Sequence, residues 1–194
     1  MSSLTASSDA LVDGGSPEVS AAIAAVLARF GAPALAYAAQ SGIRIVPLAR
    51  RQRYRDASPA LRRLGVDVDA WPVPPAGLFV VEERAVYLRA ATAMTVAHEF
   101  GHALDCALGG GVYRSGYDTT IRTAFARARA FVTPYAATGL DEYFAEAVRA
   151  HVEINDADSP WPKATRERLR AVDNQVADFV DALFTNELAS RHLL

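Results

Sequence analysis

The chain has 194 residues, 51% of them hydrophobic and 22% charged, with a formal net charge of −2. That is an ordinary globular balance, long enough for one domain with a real core, and it lacks the strongly basic character of a general nucleic-acid binder. A single cysteine, Cys106, excludes an intrachain disulfide, and no apolar run is read as approaching the length that a bilayer span requires.

Residues 1–17 are rich in Ser, Gly and Asp and read as a flexible tail. They have neither the basic start nor the apolar stretch of a signal peptide, so the expected location is the cytoplasm, or outside the cell by a signal-independent route. From residue 18 to 194 the chain reads as a single domain of two lobes, about 18–110 and 111–194. Glu18 to Phe30 carries apolar residues at helical spacing and meets Gly31 as a stop. Pro33 to Gln40 reads as a second short helix, and Ile43 to Leu48 as a strand.

Arg50 to Gly65 is basic and mixed, a solvated surface in which Ser58-Pro59 starts a short helix. Trp71-Pro72-Val73-Pro74-Pro75 reads as an extended loop, either inert or one wall of a cleft. Leu78 to Glu82 and Ala85 to Arg89 form a strand pair whose turn lacks the usual Gly or Asn. Ala85 to Arg89 is either an internal strand or an exposed edge that a peptide could extend. Thr92 caps a helix over Ala93 to Leu108, ended by Gly109-Gly110-Gly111. Helices follow over Thr119 to Phe131, Asp141 to Ile154 and Ala164 to Leu188, the last one broken. Strands in the first half and helices in the second make an α+β arrangement, with a small mixed sheet in the N-terminal lobe.

The central helix holds His98-Glu99-Phe100-Gly101-His102, the HExxH pattern. Residues four apart share one helix face, about 6 Å apart along the axis, so two imidazoles can converge on one zinc ion. Glu99 does not ligate, but it can act as base toward a water on the metal. Two of the chain's four histidines lie here. The bland alternative is a pair of core histidines satisfied by hydrogen bonds.

A catalytic zinc needs a third protein ligand. Asp105 and Cys106 lie too far along the same helix. Asp105 reads as a group that supports the ligands or caps the helix, and Cys106 as a core thiol. His151, His192 and the downstream acids remain candidates. Among the acids, Glu142 and Glu146 stand four apart on a largely apolar helix. Like charges at that spacing repel unless a cation lies between them. Glu142 would ligate, and Glu146 would accept the free N–H of a ligating histidine. A solvated acidic stripe is the competing explanation.

His98-Glu99-Phe100-Gly101-His102-Ala103-Leu104-Asp105, Thr133-Pro134-Tyr135 and Glu142-Tyr143-Phe144-Ala145-Glu146-Ala147 together resemble the catalytic domain of anthrax lethal factor and the clostridial Pro-Pro endopeptidases. The resemblance spans about His98 to Ala150. It implies a zincin-like fold and one zinc per chain, held by His98, His102 and Glu142. It implies Glu99 as general base, Tyr135 as an assisting residue seven positions before the third ligand, and Glu146 as support for a ligand. Tyr143 stands where the family often has Phe. The expected activity is zinc-dependent endopeptidase action on proteins or peptides, with a preference for proline near the cut suggested by the resemblance alone. The alternatives are a catalytically silent zinc-binding interaction protein, an intracellular regulatory peptidase that cleaves a repressor, and a toxin module.

Overall fold

The computed structural model describes residues 8–191. Residues 1–7 of the expected tail and His192 lie outside them. The described part of the tail is not loose. Ser8–Leu11 forms a short 3-10 helix, Leu11 is buried, and Val12 bridges Ile45 while the Asp13 N–H donates to the Ile45 carbonyl. Two adjacent apolar residues, Leu11 and Val12, are enough to anchor a stretch that is otherwise polar.

Helix α1 spans Pro17–Leu27, with Ser16 as N-cap and Pro17 at the first position, where its missing N–H is harmless. A single 3-10 turn follows, and α2 runs Gly31–Gln40. Gly31 does not terminate helical structure as expected. It turns the axis at a φ of +80°, a value open to glycine. Residues 17–40 are apolar enough in composition to cross a membrane, but the axis breaks at Gly31, and Ile23, Leu27, Phe30 and Leu35 are buried in the protein core.

Strand β1 is Arg44–Pro47. Two short helices, α3 (Tyr54–Ala57) and α4 (Pro59–Leu64), occupy the mixed basic stretch. Ser58 caps α4 by accepting from the Leu61 N–H. Strands β2 (Gly77–Val80) and β3 (Ala85–Leu88) complete a three-stranded sheet in the order β1-β3-β2. β1 runs parallel to β3, and β2 runs antiparallel to it. Arg84 takes the left-handed turn position at φ +50° that the sequence leaves without Gly or Asn. Its guanidinium donates to the Ser41 carbonyl at 2.8 Å, which helps hold that conformation.

All four residues of β3 are buried, so this strand is internal; β1 and β2 are the edges, β1 is bridged by Val12, and among the described residues no strand pairs with the outer side of β2. The Arg89 N–H donates to the Ala76 carbonyl. Antiparallel alternation then turns the main-chain groups of Leu78 and Val80 toward β3, and those of Gly77 and Phe79 outward.

Helix α5, Ala93–Leu108, is capped by Thr92, whose hydroxyl accepts from the Thr95 N–H at 3.2 Å. It is buried throughout from Val96 to Leu108. Then come α6 (Thr119–Arg127), α7 (Leu140–Val152), α8 (Arg166–Val172), α9 (Asn174–Ala182), a π-helical turn over Leu183–Glu187, and α10 (Leu188–Arg191). The long C-terminal helix breaks at Asp173, which leaves helical φ/ψ and caps α9 through the Val176 N–H. One apolar cluster joins residues from Leu11 to Leu188, with α5 and α7 at its centre. A smaller cluster on the other side of the sheet contains Tyr54, Leu61, Val80 and Tyr87. The architecture is α+β with a small mixed sheet, as expected.

Candidate metal centre and cleft

Helix periodicity puts His98 and His102 on one face of α5, with their Nε2 atoms 3.1 Å apart. Glu142, in the first turn of α7, brings Oε2 to 3.0 Å from His98 Nε2 and 3.3 Å from His102 Nε2. α7 can come this near because Gly101 faces Ala145. A Cβ on Gly101 would lie 2.9 Å from Ala145 Cα.

The three atoms form a nearly equilateral triangle. A tetrahedral zinc with bonds of about 2.0–2.1 Å needs ligand atoms about 3.3 Å apart, so the triangle has the right size. Glu142 Oε2 is buried with no hydrogen aligned on it, although two ring nitrogens are close. Lone pairs aimed at a common point, rather than at one another, account for that arrangement. His98, His102 and Glu142 are thus a group that could hold a metal ion.

Burial works against a charged His98, but the carboxylates of Glu142 and Glu146 beside its ring nitrogens outweigh it and lift its pKa to about 10. Burial would raise Glu142, yet His102 and His98 draw it down to about 2.

Glu146 lies behind His98. It accepts from His98 Nδ1 at 2.9 Å, from Thr133 Oγ1 at 2.5 Å, and from Arg149 through Nε at 2.8 Å and a terminal nitrogen at 2.7 Å. Arg149 is 1% exposed, and its remaining donor reaches the Ile154 carbonyl and Asn155 Oδ1, each at 2.9 Å. Burial alone would raise the Glu146 carboxyl; Arg149 and His98 hold it well below the usual carboxylate range. An ionised Glu146 keeps a hydrogen on Nδ1, so Nε2 is the nitrogen that would face an ion. Arg149 escaped the sequence reading, and Thr133 enters it only as part of the motif around Tyr135, with no role of its own. The spacing of Glu146 and Arg149, three apart on a helix, was the available signal for the first.

Asp105 makes its hydrogen bonds to Ser115 rather than to either histidine. Its carboxylate accepts the Ser115 N–H at 2.8 Å and the Ser115 hydroxyl at 2.5 Å, while His102 Nδ1 is buried without a partner. Nearly a turn beyond His102, Asp105 reaches the 3-10 turn Arg114–Gly116 instead. Burial raises its pKa to about 6. His151 is also elsewhere, paired with Asp181 at 2.9 Å and stacked on Phe184. Cys106 is fully buried in the core.

Glu99 is 8% exposed, and burial pushes its carboxyl above the ordinary value. Tyr135 donates its hydroxyl to Glu142 Oε1 at 3.1 Å, with its ring 5.3 Å from that of His98. Burial, and then Glu142, push this phenol upward, so it remains a neutral donor. A cleft of about 410 Å³ opens over His98, Glu99 and Tyr135, between the Val73–Pro75 loop and Trp161. The proline-rich loop is therefore a cleft wall. Trp161, which also lines the cleft, gave no sequence signal.

No family model matches the sequence, and no curated protein sequence matches it. Among solved structures, the Pro-Pro endopeptidase of Paenibacillus alvei superposes with a TM-score of 0.64 at 21% identity, covering 91% of this chain and 98% of that one. At this identity the likeness is one of fold: an α+β chain folded like that endopeptidase, with a His-His-Glu group at its cleft able to take a metal ion.

Proposed function

We propose that the protein is a zinc-dependent endopeptidase of the lethal factor and Pro-Pro endopeptidase type. One observation carries this reading: a zinc-sized triangle of two imidazoles and a carboxylate adjoins a buried carboxyl, Glu99, that is not needed as a ligand. His98, His102 and Glu142 would hold the ion. When bound, zinc supplies an acidified water and a Lewis acid for the substrate carbonyl.

The protein's own groups do the rest. Glu99, its pKa raised by burial, takes the proton of the attacking water and passes it to the leaving amine. Tyr135 exchanges its bond to Glu142 for one to the developing oxyanion. Glu146, backed by Arg149 and Thr133, holds His98 in the ligating tautomer. A peptide extends the sheet at β2, using the outward main-chain groups of Gly77 and Phe79. The proline preference suggested by the sequence resemblance fits a cleft bounded by Val73, Pro74, Pro75 and Trp161, since these walls offer flat apolar surface.

The test is metal analysis of wild type and Glu142→Ala, with mass-spectrometric digestion of a peptide library. One zinc per chain, lost in the variant, together with cleavage at defined internal bonds, is expected. Tight zinc binding without cleavage would leave a metal-binding protein and overturn the peptidase assignment. A digest with no enrichment of proline would remove that preference alone.

A further inference from the structure

Glu99 is confined before any substrate arrives. Thr95, one turn earlier on α5, has its hydroxyl 3.1 Å from the Thr92 hydroxyl, the same oxygen that caps its backbone N–H. That contact restrains the Thr95 rotamer and leaves its methyl beside β2. Gly77 of β2 faces both residues. A Cβ there would lie 2.5 Å from Glu99 Cγ, 2.8 Å from Thr95 Cγ2 and 2.9 Å from Glu99 Oε1. Carbon atoms in ordinary contact sit about 3.5–4.0 Å apart, so even one methyl has no room. The Glu99 side chain is not free to swing away, since it is buried and the closest contact is at Cγ rather than at its tip.

Gly77 and Phe79 of β2 present their main-chain groups outward along the outer edge of the sheet. Phe79, two positions on, faces the same side, and its ring packs on Tyr113. The backbone that seats Glu99 is therefore also the backbone a peptide would pair with. We infer that Gly77 is a positioning residue: its lack of a side chain seats the Glu99 carboxyl directly on the edge strand, so that one stretch of main chain registers both base and substrate. The catalytic consequence rests on the proposed peptidase reading, whereas the seating of Glu99 stands on geometry alone.

The test compares zinc-loaded wild type with Gly77→Ala by crystal structure, zinc content and steady-state kinetics. The variant is expected to keep its zinc and its KM, to move the Glu99 carboxyl by about 1 Å, and to lose about 100-fold in kcat. Adding Thr95→Ala removes the competing methyl and should recover about tenfold of that loss; if Gly77→Ala alone does not fold, this double variant carries the comparison. A Glu99 that superposes unmoved on the wild type, or a kcat within about twofold of it, overturns the inference. Should wild type cleave no peptide at all, the proposed function falls, and the position of Glu99 in the two crystal structures still decides this inference.

Discussion

The backbone of Ala145 lies against Gly101 so closely that a methyl on the glycine would meet Ala145 Cα at 2.9 Å and its carbonyl oxygen at 3.1 Å. These are backbone atoms, which cannot rotate aside. The gap between α5 and α7 is set here, one residue before His102 on α5 and about one turn beyond Glu142 on α7. Gly101→Ala should therefore push α7 outward, destabilise the fold by about 1–3 kcal/mol, and weaken zinc binding by separating Glu142 from the rings. Urea unfolding with parallel zinc titration measures both effects, and unchanged zinc affinity would disprove the spacing role.

Glu99→Gln keeps the shape of the side chain and removes its basicity. Zinc content should stay at the wild-type level while turnover falls by about 100-fold or more. Near-full activity would take the role of base away from Glu99.

Tyr135→Phe removes a donor that faces Glu142 but ligates nothing. Turnover should fall by about 100-fold with zinc unchanged. Loss of zinc instead would assign the hydroxyl to holding Glu142 in place.

Arg149→Met should be the most damaging single change near the site. It strips the charge partner from Glu146, a carboxylate 3% exposed, and breaking a buried pair in this way costs about 3–5 kcal/mol. Glu146→Gln/Arg149→Met, which removes both charges, should recover much of that stability without restoring wild-type zinc affinity. Thermal unfolding of the metal-free proteins makes the comparison.

Zinc uptake should release a proton. In the metal-free protein His98 is raised from 6.5 to about 10, so at pH 7.5 it carries a proton that ligation must expel, about one per zinc bound. Calorimetry in buffers of different ionisation enthalpy reads this number. The same shift sets a pH dependence of metal-free stability. A raised pKa stabilises fully below 6.5, and that contribution disappears as pH rises toward about 10. Glu142, lowered from 4.5 to about 2, acts in the opposite direction: its contribution is present above 4.5 and fades as pH falls toward about 2. Metal-free unfolding that is flat from pH 6 to 10 would contradict the His98 assignment.

Local rules carried a large part of this protein. The Thr92 cap, the glycine stop after Leu108 and the four-residue spacings of His98 with His102 and of Glu142 with Glu146 depend on contacts within one or two helical turns, and sequence alone contains them. The cap at Ser58 belongs to the same class, whereas the left-handed turn at Arg84 also leans on the distant Ser41 carbonyl. Such features follow from backbone hydrogen bonding and helical periodicity, whatever the rest of the chain does.

Contacts between distant segments decided the remainder. Only packing of α7 on α5 selects Glu142 over the other acids as the atom that closes the triangle, puts Arg149 beneath Glu146, and sends Asp105 to Ser115 rather than to His102. Only the sheet order leaves β2 at an edge and buries β3, and only the core gives Leu11 somewhere to go. A sequence pattern records which face of an element is apolar, but not which other element will cover it. The burial that shifts the charges of His98, Glu99 and Glu146 arises from that covering, and so do the close approaches at Gly77 and Gly101.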